Sequence, residues 1–230
     1  METTTIVCPK ILADVLIALG IATTTDAPKK PDSPKPEPKP EPKPEPKNTG
    51  DTVNPDFAYL WATRKINPDK QSAVDVACAK IKANQARYET IAKATGVPWQ
   101  VVAVIHKMES NCNFGTHLHN GDPLTARTVQ VPAGRPKTGN PPFTFEQSAI
   151  DALGYDGATG IKSWDIITTL KFLERYNGMG YRKHGIYSPY LWSYTNHYAR
   201  GKYVKDGVWD ANAVSGQCGA VPVLMGLGYA

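Results

Sequence analysis

The sequence predicts a mainly α-helical domain behind a proline-rich linker, and three observations lead to that reading. Apolar residues recur at helical spacing through much of residues 55–175. One polar excursion, residues 115–142, gathers Gly, Pro, Asn and His and leaves room for a long loop or a small β excursion. Proline alternates with charge in KPEPKPEPKPEPK, residues 35–47. Proline at every second position forbids a helix and starves a sheet of donors, so this stretch is expected to be extended and semi-rigid.

The linker divides the 230 residues into three parts: a short N-terminal segment at 1–27, the linker at 28–48 and a folded domain at 49–230. Residues 1–48 carry seven of the 26 basic and seven of the 21 acidic residues, so the whole net charge of +5 falls on the domain. A mildly basic domain is drawn to anionic polymers such as a bacterial wall. There is no dense Lys/Arg run, so nucleic acid is not an expected partner. Cys8, Cys78, Cys112 and Cys218 include no close pair, which argues against a zinc ribbon or finger. His117, His119 and Asp122 match no zinc spacing, and no metal or cofactor is expected.

In residues 1–27, the apolar run Ile11–Ala22 is interrupted by Asp14 and is shorter than a bilayer span. A signal, an anchor and a docking helix all remain open. Lys10 before the run suits a signal, the uncharged leading residues do not, and Pro9 suits a helix start.

The domain opens with a short helix carrying Phe57, Leu60 and Trp61 on one face. A second helix is expected from Pro68 to about Thr95, capped by Asn67, closed by Gly96 and open to interruption. Val101, Val102, Val104, Ile105 and Met108 mark the apolar face of a third, which runs into Glu109 and the polar turn Ser110–Asn113. Thr128–Val131 alternates like a short strand. Thr144 with Gln147 three residues on forms a capping box for the next helix. Ile166, Ile167, Leu170, Leu173 and Glu174 share a face of another. One or more short helices are expected through the aromatic stretch Tyr190–Tyr203, followed by a turn at Asp206–Gly207 and an apolar tail from Val221.

Glu109 is the residue on which chemistry is expected to turn. A carboxyl where a buried helix meets a polar turn is partly desolvated, which raises its pKa and suits it to act as a general acid. His106, three residues earlier, either tunes that acid or packs in the core, and packing is favoured. Asn177-Gly178-Met179-Gly180 permits a close backbone approach, and the downstream tyrosines offer rings and hydroxyls suited to sugars. Cys112 with His117 or His119 would serve a cysteine amidase or peptidase instead, although a buried cysteine is usually structural.

The helix ending in Glu109-Ser110, followed downstream by Tyr176-Asn177-Gly178-Met179-Gly180-Tyr181, resembles the lysozyme superfamily. It is nearest to phage endolysins related to lytic transglycosylases and goose-type lysozymes. The resemblance covers roughly residues 55–220 and implies a lysozyme-like helical domain. It implies cleavage of the β-1,4 link between N-acetylmuramic acid and N-acetylglucosamine in peptidoglycan, with Glu109 protonating the glycosidic oxygen. It places Ser110 against the sugar or its N-acetyl group, and Tyr176, Asn177 and Gly178 on the substrate floor. The loop LHNGD, residues 118–122, with Thr125, Arg127 and Thr128, is similar to a loop of phage lysins. His119, Asn120, Thr128, Tyr181 and Tyr198 complete the expected substrate contacts.

A second carboxyl would make the reaction a hydrolysis; Asp122 is the favoured candidate, with Glu146 and Asp151 behind it. Without one, Glu109 would serve as acid and then base while a muramyl hydroxyl attacks, the lytic transglycosylase route. The long 115–142 loop departs from the simple transglycosylase pattern and leaves both routes open. The expected setting is a monomer acting at the bacterial wall or periplasm in host lysis, made in the host cytoplasm or exported. The other readings are a non-catalytic wall-binding module and a structural virion protein.

Overall fold

Trp99–Ser110, here called α4, is the helix around which the others pack. Val101 through His106 are all fully buried, so this helix is enclosed on every side rather than along one stripe. The computed structural model describes residues 53–205 and 207–230, within a unit spanning Pro46–Ala230. The expectations for the N-terminal segment and the linker, and Asp206, lie outside the described residues.

Before α4 come α1 (Phe57–Thr63), α2 (Gln71–Lys82) and α3 (Gln85–Thr95). After it come α5 (Phe145–Tyr155), α6 (Ile166–Asn177), α7 (Pro189–Trp192), strands β1 (Lys202–Lys205) and β2 (Val208–Asp210), and α8 (Ala220–Gly226). Helices α2, α3 and α8 pack on α4, α5 packs on α3, and α6 joins α1 to α7. The architecture is mainly α-helical with one two-stranded antiparallel sheet.

Local chemistry explains several boundaries. Asp56 caps α1 by accepting from the Tyr59 amide. The Thr144–Gln147 capping box forms in full at the start of α5. Gly96 closes α3 in the left-handed region, at φ 74°.

The helix expected from Pro68 to about Thr95 is interrupted at Ala83–Asn84, an interruption the sequence leaves open, and the Asn84 side chain donates to Lys80 O there in competition with the backbone ladder. Three other expectations need correction. The first turn from Pro68 is 3₁₀, and Asn67 makes no side-chain cap. The aromatic stretch keeps one short helix, Pro189–Trp192, and its end is strand β1, where Tyr203 pairs with Trp209. Thr128–Val131 is not a strand: Thr128 is buried and its hydroxyl donates to Pro132 O at 2.5 Å and accepts from the Arg135 amide at 2.9 Å.

Buried Trp192 and Leu191 end the α7 turn against the start of α8. A Cβ on Gly219, just before α8, would lie 2.5 Å from Leu191 O and 2.8 Å from the Ser193 backbone, where nothing can yield without moving the chain. Gly219→Ala is therefore expected to cost about 3 kcal/mol, a Tm drop of roughly 6–12 °C by calorimetry. An unchanged Tm would show that this contact relaxes freely.

Candidate functional site

Two helix C-termini meet at one cleft. Glu109 is the penultimate residue of α4, and Asp156 is the C-cap of α5. With His119, Pro132, Tyr155, Tyr176 and Asn177 they line a cavity of about 240 Å³. Carboxylates at helix C-termini face the negative end of the macrodipole, a placement that costs stability and needs another reason.

The end of α4 is held firmly. Asn111 and Cys112 both adopt positive φ, 51° and 56°. Asparagine tolerates that region, but cysteine there stores about 1 kcal/mol or more of strain. Gln217 donates to Met108 O at 2.7 Å, and the Lys80 ammonium donates to Asn111 O at 2.6 Å. These donors occupy carbonyls that the helix leaves free, so the position of Glu109 is fixed from both sides of its turn.

Glu109 is exposed to solvent at the end of α4, while the protein around it still desolvates its carboxyl in part. Burial raises its pKa above the usual glutamate range, and the neighbouring Asp156 charge adds to that. The Tyr190 hydroxyl donates to Glu109 Oε1 at 3.0 Å and opposes the rise by favouring the carboxylate. Asp156 is also raised, mainly by burial, with Arg135 and Arg175 pulling the other way. Burial likewise lifts the Tyr176 hydroxyl well above its ordinary value, and Glu109 and Asp156 push in the same direction.

One wall of the cleft belongs to the long loop, and α5 ties that loop down. Ser148 and Asp151, three residues apart on one face of α5, act as its anchors. His117 Nε2 lies 2.8 Å from Ala126 O and donates there, and His117 Nδ1 lies 2.8 Å from Ser148 Oγ. Asp151 Oδ2 lies 2.8 Å from both His119 Nε2 and Arg135 Nε. Ser148 Oγ is also 3.5 Å from His119 Nδ1, so serine, histidine and aspartate stand in a chain. Ser148 is fully buried and no substrate reaches it, so the chain is a brace and not a nucleophilic triad.

The expected site residues divide into two sets. His119, Tyr176 and Asn177 line the cleft with Glu109. Gly178 and Tyr181 line an adjoining compartment that shares Asn177. Gly178 ends α6 with φ 98°, which lets the chain turn sharply between the two.

The other expected contacts are engaged elsewhere. Ser110 Oγ donates to His106 O at 3.3 Å. Asn120 donates to Asp122, and Asp122 Oδ2 also accepts from the Val129 and Gln130 amides, which holds that carboxyl below its usual range against a burial effect of opposite sign. Asp122 is thus an organiser of the loop and does not line the cleft. Thr128 is the buried pin described above, and the Tyr198 hydroxyl bridges Gly201 O and the Ser215 amide. Glu146 pairs with Arg87 at 2.6 Å.

His106 packs in the core. It stacks on Phe145 at 4.0 Å, lies 3.0 Å from Tyr88 Oη and is pushed down to about 4, chiefly by burial. Cys112 is buried and its thiol is raised by that burial, the reverse of what a nucleophilic cysteine needs. Among the described residues, no group of three or more His, Cys, Asp and Glu is placed to hold a metal ion, and no helix is long and apolar enough to cross a membrane.

Asp156, Tyr190, Tyr155 and Pro132 are the site residues that the sequence reading missed. Asp156 carried one usable signal: an acid at the end of the helix that the Thr144 box opens, set against the dipole. Tyr190 opened the aromatic stretch that pointed to a groove, but nothing local paired it with Glu109, because only folding brings the two together across 81 positions of the chain.

No protein-family model matches the chain, and no curated protein or solved structure does.

Proposed function

We propose that the protein cleaves the β-1,4 glycosidic link of bacterial peptidoglycan, with Glu109 as general acid and Asp156 as the second carboxyl of a lysozyme-like site. The observation that carries this reading is one cleft holding two carboxyls whose pKa values are both raised by burial. Protonated Glu109 gives its proton to the bridging oxygen as the glycosidic bond breaks. Ionised Asp156 then supports the oxocarbenium-like sugar or directs water to it, and the Glu109 carboxylate takes the water proton to restore the acid. Tyr176 and Asn177 offer the sugar a ring and an amide, and His119 closes the loop side. The excess positive charge of the domain favours an anionic wall. The protein is read as a monomeric wall-lytic enzyme serving host lysis.

Mass spectrometry of fragments released from purified walls tests this directly. Reducing muramic ends are expected. Anhydromuramic ends would replace Asp156 with an internal attack by the muramyl hydroxyl, and an absence of soluble fragments would leave wall binding without cleavage.

Tyr190 provides a finer test. A general acid works only while protonated, so activity falls as pH rises through the Glu109 pKa. Tyr190→Phe removes the hydrogen bond that favours the charged form. Its alkaline limb should therefore move to higher pH in a pH–rate profile, and a limb that stays or moves down would contradict the assignment.

A further inference from the structure

Beside the acid cleft, and meeting it at Asn177, lies a second compartment of about 470 Å³ with different chemistry. Lys183 and Lys205 line it together with Tyr181 and Tyr203, and no acidic side chain is among its described lining residues. Neither lysine takes part in an ion pair among the described residues. The nearby guanidinium of Arg182, by contrast, is committed to buried Glu174 at 2.5 Å.

The compartment is built rather than incidental. His184 stacks on Trp209 at 3.8 Å with the rings parallel, and its Nε2 lies 3.0 Å from Tyr203 Oη. Tyr181 packs edge-on against Tyr203 and Trp209. This aromatic cluster fastens the β1–β2 hairpin to the turn after α6. Lys183 sits 5.9 Å over the Tyr203 ring. A bulge between Tyr203 and Lys205 shifts the strand register just before Lys205, which pairs with Val208 at the turn end of the hairpin, a device that commonly re-aims a side chain at a site.

The groove therefore changes sign along its length, with two carboxyls at one end and two ammonium groups at the other. A carboxylate on a bound ligand is repelled from the first and drawn to the second. We infer that the lysine compartment takes the carboxylate-bearing peptide stem of the glycan strand and so sets the direction in which the strand lies across Glu109. The inference rests on the proposed cleavage of peptidoglycan. A strand without stems loses this contact while keeping its sugar contacts at Tyr176 and Asn177.

The test uses the full chain carrying Glu109→Gln, so that ligands are bound and not cut, with and without Lys183→Gln plus Lys205→Gln. Two probes are titrated: a wall-derived tetrasaccharide bearing peptide stems and a neutral N-acetylglucosamine tetramer. Removing both lysines should weaken the stem-bearing probe about five- to tenfold and flatten its salt dependence, with less than about a twofold change for the neutral one. Equal losses for both probes, or no loss for the stem-bearing one, would overturn the inference while leaving cleavage at Glu109 standing. If the parent chain binds neither probe and the wild type releases no fragments from walls, both readings fall together.

Discussion

Glu109→Gln should lower the release of soluble fragments from purified walls by about a hundred- to ten-thousand-fold, the range that a positioned general acid supplies. Glutamine keeps the shape and still accepts from the Tyr190 hydroxyl, but it has no proton to give to a leaving oxygen. The fold should not suffer. Because the folded state raises the Glu109 pKa, it holds that proton to higher pH than the unfolded chain does. Stability from this residue is thus greatest at low pH and declines as pH rises through the folded pKa. A neutral amide removes the decline, so at neutral pH the Tm of the variant should equal or exceed that of wild type. Retained lysis, or a loss of activity that follows a lower Tm, would remove Glu109 from the reaction.

Asp156→Asn is expected to lower the same activity by about a hundredfold or more, and it separates the two routes of cleavage. As the ionised partner, Asp156 should set the acid limb of the pH–rate profile, and its raised pKa places that limb above the ordinary aspartate range. The variant should lose that limb. It also removes a negative neighbour of Glu109, so the alkaline limb should shift down in pH. The paired change distinguishes a reacting carboxyl from one that merely packs. Full activity with anhydromuramic products would assign the attack to the sugar itself. The contrast with Asp122 is structural: Asp122 Oδ2 accepts three hydrogen bonds inside its own loop, and Asp122 does not line the cleft that holds Glu109 and Asp156.

These expectations depend on cooperation between α5 and the loop. Ser148, Asp151 and Asp156 lie along one helix, with the first two holding residues 117–135 and the last entering the cleft. The strained Asn111–Cys112 turn performs the matching task for α4. Strain of that kind persists only where the surroundings over-determine it, and Gln217 and Lys80 are those surroundings here.

The features legible in the sequence are local ones. The 3.6-residue period marked α4 and α6, the Thr144 box marked the start of α5, and the step from apolar helix to polar turn marked Glu109 as a desolvated acid. Each signal lies within a few residues of what it describes, because capping and amphipathicity are near-neighbour effects. The tertiary structure alone decided that the α5 C-terminus would bring Asp156 to Glu109. It also delivered the Tyr190 hydroxyl from 81 residues away, and turned the end of the aromatic stretch into a hairpin. Those outcomes depend on how buried faces pack across the core, and no local pattern records which distant chain end will share a cleft. Asp122 illustrates the difference. By residue type and loop it suited a second acid, but the amides of Val129 and Gln130 reached it first.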